Sequence, residues 1–169
     1  SVDPSYKLTL PNKRKDSEVG TRKEDHIFVE EDMWNAIIER FPEGHPSHLA
    51  LMLGYYCGLR LGEVYGLTWD CVDFENKTIT INKQMQEPSG CGKWLLYVPK
   101  YDSSRTVTVG NNVLALLKRT LEFQLTDKET CGEYYQENYM NYDEETHSLL
   151  SLNDLRPVHF VNAKQGGLL

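Results

Sequence analysis

The sequence predicts an α+β fold in which a helical core packs on a three-stranded antiparallel sheet. Two changes in the spacing of apolar residues support this prediction. Between residues 30 and 67 apolar side chains recur at helical spacing, and between residues 78 and 109 they alternate with polar ones, as in strands. A helical pattern returns after residue 111. Because the predicted strands follow one another without intervening helices, an antiparallel meander is favoured over a parallel sheet.

Three helices are predicted in the first part of this pattern. The first begins near Glu30, whose charge suits the positive end of a helix dipole, and it ends at Pro42. The second starts at Pro46 and ends before Gly58, a residue type that readily adopts the left-handed conformation found after helix ends. Because the second helix is apolar on most sides, we expect it at the centre of the core. A short third helix covers residues 62–67.

Three strands are predicted, at residues 78–81, 94–98 and 105–109. The turn between the last two spans residues 99–104, and Asn111 or Asn112 can cap the helix that follows. Residues 158–161 are predicted to form a further short, buried strand. The sheet therefore lies between two helical regions of the chain.

The net charge of −7 is concentrated in one segment, residues 127–154, which holds eight acidic residues and one basic residue. The remainder has 17 acidic and 17 basic residues, so a basic face elsewhere stays possible in an acidic protein. The weak patterning of residues 127–154 predicts an irregular acidic insertion. Residues 1–25, with a Lys13-Arg14-Lys15 run, are predicted to be a leader or interdomain linker.

Several classes of protein are disfavoured by composition. Apolar runs of about 18 residues, which a membrane span needs, do not occur, and the start lacks the pattern of a secretory signal, so we expect a cytoplasmic protein. The four cysteines are scattered, which indicates neither a zinc site nor a disulfide framework. His45 and His48 lack a third ligand in view, so no metal is predicted.

The stretch from Cys57 to Phe74 carries the functional signal. It places Arg60 in a turn after a buried helix, where an arginine is expected to face a partner or an anion. Glu63, three residues on, can orient the guanidinium. From the residues alone, a structural ion pair between Arg60 and Glu63 and an anion-binding arginine remain equally open.

This stretch resembles the first arginine box of the tyrosine recombinases, the integrases of phages and conjugative transposons. In that family the box begins approximately G-L-R-x-x-E-[ILV]-x-x-L-x-W. The match is carried by the following residues: Gly58, Leu59, Arg60, Glu63, Val64, Leu67 and Trp69, with Val72 and Asp73 after them. So many positions of fixed type and spacing make the resemblance specific.

A second match follows in the predicted sheet. Residues 99–109, beginning Pro99-Lys100 and continuing through Ser104-Arg105, are similar to the family's segment around a catalytic lysine between its second and third strands. Tyr101 stands where threonine is common. The resemblance implies that Lys100 is catalytic, although a solvated turn lysine is the alternative from the residues alone. It also implies that residues 26–169 form part of a recombinase catalytic domain.

The resemblance implies cleavage of double-stranded DNA by a tyrosine, through a 3′-phosphotyrosyl intermediate, without a metal or an energy cofactor. Arg60 would clamp the phosphate and Lys100 would protonate the leaving 5′ oxygen. Glu63 would support Arg60, while Arg60, Lys100 and Arg105 would contact DNA. The family's His-x-x-Arg pair and tyrosine follow a Gly-Gly turn such as that at 166–167, so we expect a truncated, inactive piece of an enzyme.

Further expectations and two rival interpretations follow from the same residues. The resemblance implies a tetramer on DNA for the full-length protein, and this piece is expected to be a monomer without membrane association. The tyrosines at 134, 135, 139 and 142 are poor nucleophiles because the surrounding carboxylates would repel a phosphate. The rivals are a non-catalytic DNA-binding module on the same fold and an acidic protein-interaction domain.

Overall fold

The computed structural model describes residues 28–86, 94–99, 103–143, 148–149, 151 and 153–169. Its α-helices are α1 (Glu31–Arg40), α2 (His48–Cys57), α3 (Leu61–Gly66) and α4 (Asn111–Cys131). The three predicted early helices are confirmed. Gly58 follows α2 in the left-handed conformation, with φ 65°. The cap of α4 differs from the prediction, since the helix starts at Asn111 and Gly110 is its N-cap residue.

The strands before α4 form a hairpin with one added edge strand. They are β1 (Val72–Asp73), β2 (Thr78–Ile81), β3 (Gln84–Gln86), β4 (Leu95–Tyr97) and β5 (Arg105–Thr108). One sheet has the order β1-β2-β5, and β3 pairs separately with β4; all pairs are antiparallel. The predicted three-stranded antiparallel sheet is therefore present within an α+β fold.

The pairing inside the sheet differs from the predicted meander. The strand at 95–97 pairs with β3 rather than with β2, and β1 supplies the third strand. Ile81 pairs with Arg105, and three residues later Gln84 pairs with Tyr97, eight residues earlier on the returning side. The returning side therefore has five more residues between these pairs. That offset separates the hairpin into two ladders, which alternation along the sequence does not reveal.

The core joins the helices to the sheet. Leu53 of α2, Ile79 of β2 and Leu117 of α4 are fully buried, as is Val161 near the end of the chain. As predicted, α2 contributes to the centre. A smaller cluster forms around Leu96 with two residues from the last part of the chain. None of the described helices is both long and apolar enough to cross a membrane.

The acidic segment 127–154 contains more regular structure than expected, within its described residues. α4 continues to Cys131, and a 3-10 turn covers Gly132–Tyr134. Short strands follow: β6 (Asn138–Met140) pairs with β9 (Arg156–Val158), and β7 (Tyr142–Asp143) pairs with β8 (Ser148–Leu149). Asp127 is buried, and its carboxylate accepts a hydrogen bond from the Gly166 backbone N–H at 2.6 Å, which offsets part of the cost of burial. Part of the segment is therefore built into the fold.

The final segment, residues 156–169, pairs with part of residues 57–74, here called the arginine stretch. Its predicted strand is present only as far as Val158, in β9; beyond it, Phe160 makes an isolated antiparallel bridge to Thr68. The Val161 N–H donates to the Leu67 carbonyl at 2.9 Å. The segment therefore braces the chain after α3. The predicted linker, residues 1–25, lies outside the described residues.

Candidate functional site

Arg60 is presented at the first residue before α3. The chain leaves α2, reverses through the left-handed Gly58 and adopts an extended conformation at Arg60, with φ −71° and ψ 156°. The side chain of Arg60 is 72% exposed. Its guanidinium therefore faces solvent at a helix start instead of being sealed in the core.

Glu63 is the buried partner that fixes this presentation. Its side chain is only 1% exposed, although glutamate is rarely buried without a partner. The Arg60 backbone N–H donates to Glu63 Oε2 at 2.8 Å, which caps the start of α3, and Arg60 Nη1 donates to Oε1 at 3.0 Å. The pairing of Arg60 with Glu63 considered from the sequence is therefore present, together with an exposed guanidinium.

Arg105, at the start of β5, makes the larger contact with Glu63. Its Nη1 donates to Oε1 at 2.9 Å and its Nη2 donates to Oε2 at 2.7 Å, which is the two-pronged arrangement that a guanidinium makes with a carboxylate. Arg105 Nη2 also lies 3.3 Å from the Gly58 carbonyl oxygen, and its side chain is 32% exposed. Sequence reasoning assigned Arg105 to DNA and missed this contact, because the residues are 42 positions apart.

Arg60, Glu63 and Arg105 form one charged cluster, and its two arginines keep the Glu63 carboxyl group ionised. The pKa of its carboxyl falls from 4.5 to about 2, first because Arg105 donates hydrogen bonds to it, while burial acts in the opposite direction. The pKa of Arg105 is raised in turn, chiefly by its hydrogen bonds to Glu63. Two guanidiniums share one carboxylate, so the cluster carries one net positive charge. Arg60 is the more exposed of the two.

α3 carries Glu63 into the protein because two glycines let it approach β3 closely. A Cβ atom added at Gly62 would lie 2.7 Å from the Met85 carbonyl oxygen. One added at Gly66 would lie 2.8 Å from the backbone of Gln84. Both distances are shorter than real Cβ contacts, so the seat of α3 depends on glycine at these positions.

A buried amide connects the arginine stretch to α4 and to the final segment. Gln124 accepts a hydrogen bond from Trp69 Nε1 at 2.7 Å and donates to the carbonyl oxygens of Val161 and Ala163, each at 3.0 Å. The neighbouring Asn162 donates from Nδ2 to the Val64 carbonyl oxygen at 2.8 Å. These bonds hold α3 and the residues that follow it against the rest of the domain.

The predicted catalytic lysine, Lys100, lies outside the described residues. A different lysine, Lys83, is 6% exposed between β2 and β3. Its Nζ lies 3.4 Å from Asp70 Oδ2, 3.4 Å from Cys71 Sγ and 3.3 Å from Asn82 Oδ1. Nothing in its spacing marks it in the sequence, since a lysine after a strand is usually solvated.

The other residues weighed from the sequence lie away from this cluster. Tyr134 is 85% exposed, and the pKa of Tyr135 is raised, first by burial and then by the nearby Glu137 carboxylate. A raised pKa disfavours a phenolate nucleophile. His48 Nδ1 bonds the Phe41 carbonyl oxygen at 2.7 Å, and His45 Nδ1 accepts from a backbone N–H. Within the described part of the chain, no three His, Cys, Asp or Glu side chains are grouped as metal ligands.

Comparison with known proteins shows which proteins the chain resembles. The chain is 27% identical over 147 residues to a XerC-like tyrosine recombinase of Caldanaerobacter subterraneus subsp. tengcongensis, a match that covers 80% of this chain and 38% of that protein. The Tn1549 transposon integrase in complex with transposon right end DNA has a similar fold, with a TM-score of 0.55 and 19% identity over 84% of this chain and 38% of that one. The same integrase in complex with a circular intermediate DNA gives 0.54 and 18%, over 84% and 39% of the two chains.

The helices and antiparallel strands form an α+β fold that resembles part of the Tn1549 transposon integrase. The sequence model of the Phage integrase family matches residues 28–138, which is more than half of the chain. This chain belongs to that family. It spans less than two fifths of the length of the relatives described above.

Proposed function

We propose that this chain is part of a site-specific recombinase that cuts and rejoins double-stranded DNA through a 3′-phosphotyrosyl intermediate. In this proposal the chain supplies the first arginine, Arg60, and the lysine, Lys100, but not the tyrosine. The observation that carries it is the exposed Arg60 guanidinium beside the buried Glu63, in a member of the Phage integrase family. The relatives that are integrases bound to DNA support the same partner.

The role of Arg60 follows from the charge of the reaction. Attack on a phosphodiester gathers negative charge on the non-bridging oxygens, and a planar guanidinium can bind two of them at once. Arg60 Nη1 is held by Glu63, while most of the side chain remains open to solvent. A guanidinium oriented in advance loses less entropy when it binds a phosphate than one that moves freely. Arg60 is therefore placed to clamp the scissile phosphate.

Lys100 is proposed as the acid that protonates the departing 5′ oxygen. Its support is the sequence around it, in which a Pro-Lys pair precedes Ser104 and Arg105. The contact of Arg105 with DNA remains a prediction, since 32% of its side chain is exposed. No energy cofactor is needed, because the phosphotyrosyl bond preserves the energy of the broken phosphodiester. The full-length protein is proposed to act as a tetramer on two DNA duplexes. This chain alone is proposed to be a monomer.

The first test measures binding of this chain to a short DNA duplex by fluorescence anisotropy across a range of salt concentrations. We expect salt-dependent binding, and Arg60→Ala should weaken it and reduce the salt slope by about one. Arg119→Ala is the matched control, because Arg119 forms an exposed pair with Glu43 elsewhere on the molecule. Absence of binding at low salt would favour the rival protein-interaction domain.

The second test uses the complete recombinase that contains this chain and follows covalent attachment to DNA. Arg60→Ala should abolish strand cleavage, and full activity of that variant would overturn the assignment. Lys100→Ala should slow cleavage of ordinary DNA but recover when the 5′ leaving group is made more acidic. Lack of recovery would remove Lys100 from the role of acid. DNA binding without any cleavage by the unaltered protein would favour the non-catalytic DNA-binding rival.

A further inference from the structure

The side chains of Arg105 and Arg60 both donate hydrogen bonds to the Glu63 carboxylate, but Arg105 donates more of them. Arg105 binds both oxygens of Glu63, at 2.9 and 2.7 Å, whereas the side chain of Arg60 reaches one of them, at 3.0 Å. The exposure of the two side chains follows the same division, at 32% for Arg105 and 72% for Arg60. One arginine is committed to the protein, and the other is left facing outward.

From this division we propose that Arg105 is a positioning residue, which neutralises Glu63 and occupies both of its oxygens, so that Arg60 remains turned outward and available to a phosphate. The inference rests on the proposed function, because it assigns Arg60 to the phosphate. It goes beyond that function by giving Arg105 an indirect action, through Glu63, on the phosphate that Arg60 binds, in addition to its predicted contact with DNA.

The charge count gives the physical reason. With both guanidiniums present, the cluster has one net positive charge, and it sits at the more exposed Arg60. Without Arg105, the buried Glu63 carboxylate would have Arg60 as its remaining ionic partner among the residues that the structure describes. A two-pronged pair between them would then be favoured, and the net charge would be zero. Arg60 would turn inward, and its attraction for an anion would fall.

A second contact ties Arg105 to the turn that presents Arg60. Arg105 Nη2 lies 3.3 Å from the carbonyl oxygen of Gly58, the left-handed residue between α2 and α3. β5 is itself held by its full ladder to β2, in which Arg105 pairs with Ile81. Arg105 therefore connects a strand of the sheet both to the carboxylate and to the backbone two residues before Arg60.

The test is a double-mutant cycle with inorganic phosphate as the probe. Binding is followed by the NMR signal of the Arg60 side-chain Nε–Hε in the unaltered chain, R105A, E63Q and R105A/E63Q. Arg105→Ala should weaken phosphate binding on the order of tenfold, about 1.4 kcal/mol, when Glu63 is present. In the E63Q background it should change binding less than about twofold, because the group through which it acts is already neutral.

Two further variants separate positioning from simple loss of charge. Arg105→Lys keeps the charge but cannot bind both carboxylate oxygens, so phosphate binding should still weaken severalfold and the pKa of Glu63 should rise from about 2. Arg119→Ala removes another arginine–glutamate pair joined by two hydrogen bonds, that with Glu43, and should leave phosphate binding at Arg60 unchanged. Thermal unfolding of each variant, followed by circular dichroism, checks that the chain is folded. If the double variant unfolds, Arg105→Lys decides the question.

Equal losses from Arg105→Ala in both backgrounds would show that Arg105 meets the anion directly, and would overturn the positioning role. Unchanged binding by Arg105→Lys would do the same. An unaltered chain whose Arg60 signal does not respond to phosphate also overturns it. Duplex binding distinguishes this failure from that of the proposed function. If duplex binding depends on Arg60 but the cycle shows no coupling, the recombinase assignment stands and the role of Arg105 falls.

Discussion

Two glutamates in this molecule each accept two hydrogen bonds from one arginine, but in different surroundings: Arg105 donates from Nη1 and Nη2 to Glu63, and Arg119 donates from Nε and Nη2 to Glu43. Arg105 reaches Glu63 at 2.9 and 2.7 Å, and Arg119 reaches Glu43 at 2.6 and 2.9 Å. Glu63 is 1% exposed, whereas Glu43 is 52% exposed. Two hydrogen bonds between an arginine and a carboxylate therefore do not by themselves distinguish the two pairs. Burial of the carboxylate and the presence of a further cation distinguish them.

The further cation is Arg60. Glu63 accepts from both the backbone and the guanidinium of Arg60, so three groups depend on one carboxylate. The Glu43–Arg119 pair joins the loop after α1 to α4 on the surface, where water competes for both partners. The pKa of Glu43 is lowered, first by its hydrogen bond from Arg119. The buried pair is therefore the one whose removal should be felt throughout the site.

The largest expected effect comes from Glu63→Ala. Breaking a buried ion pair leaves its partners uncompensated, and we expect a loss of about 3 kcal/mol in the free energy of unfolding, the lower end of the usual range, because both arginines keep some access to water. Urea unfolding followed by circular dichroism measures it. Glu43→Ala is the matched control and should cost less than about 1 kcal/mol. Equal losses in the two variants would remove the distinction drawn between the pairs.

The next largest expected effect is a loss of stability at low pH, when Glu63 becomes protonated. The pKa of Glu63 is about 2 in the folded protein against a reference value of 4.5, so its contribution is present above pH 4.5 and is lost as the pH falls towards 2. Over that range we expect on the order of 3 kcal/mol to disappear from the free energy of unfolding. Unfolding curves of the unaltered chain and of Glu63→Gln between pH 6 and 2 measure the difference. Parallel pH profiles for the two proteins would contradict a lowered pKa.

Disturbing the close packing of α3 on β3 should lower the free energy of unfolding by less. Such a change affects how deeply Glu63 is buried, but it leaves the charge of Glu63 in place. Gly66→Ala would place a Cβ atom 2.8 Å from the backbone of Gln84, and relieving that overlap should cost about 2 kcal/mol. Gly54→Ala is the control. Gly54 lies inside α2, and its added Cβ would be at an ordinary distance of 3.8 Å from the Leu59 carbonyl oxygen. Thermal unfolding of both variants provides the comparison. A destabilised Gly54→Ala with an unaffected Gly66→Ala would refute the close-approach argument.

Part of this site could be predicted from the sequence because its signals are local. Helix ends, the left-handed Gly58 and the spacing of Arg60 and Glu63 all lie within a few residues of one another, and the structure has them as predicted. The Glu63–Arg105 contact is not local. It depends on how β5 aligns with β2, so no spacing along the chain indicates it.

The sheet shows the same limit. Alternation of apolar residues located β2, β4 and β5 but not β1 or β3, and it carries no information about which strand pairs with which. The five additional residues on the returning side decide that β4 meets β3 and β5 meets β2. Lys83 was missed for a related reason, since its burial depends on Asp70, Cys71 and Asn82 meeting in three dimensions.

The smallest expected effect is that of Arg119→Ala. Its partner Glu43 is half exposed and can be solvated when the arginine is removed, so the free energy of unfolding should fall only slightly at moderate salt, and less than in any of the other variants. Raising the salt concentration should shrink even this difference, because exposed charges are screened. Urea unfolding of Arg119→Ala and the unaltered chain at low and high salt measures both points. A loss that is large and insensitive to salt would mean that surface exposure does not distinguish the pairs, and that a two-pronged arginine–glutamate contact is strongly stabilising wherever it lies.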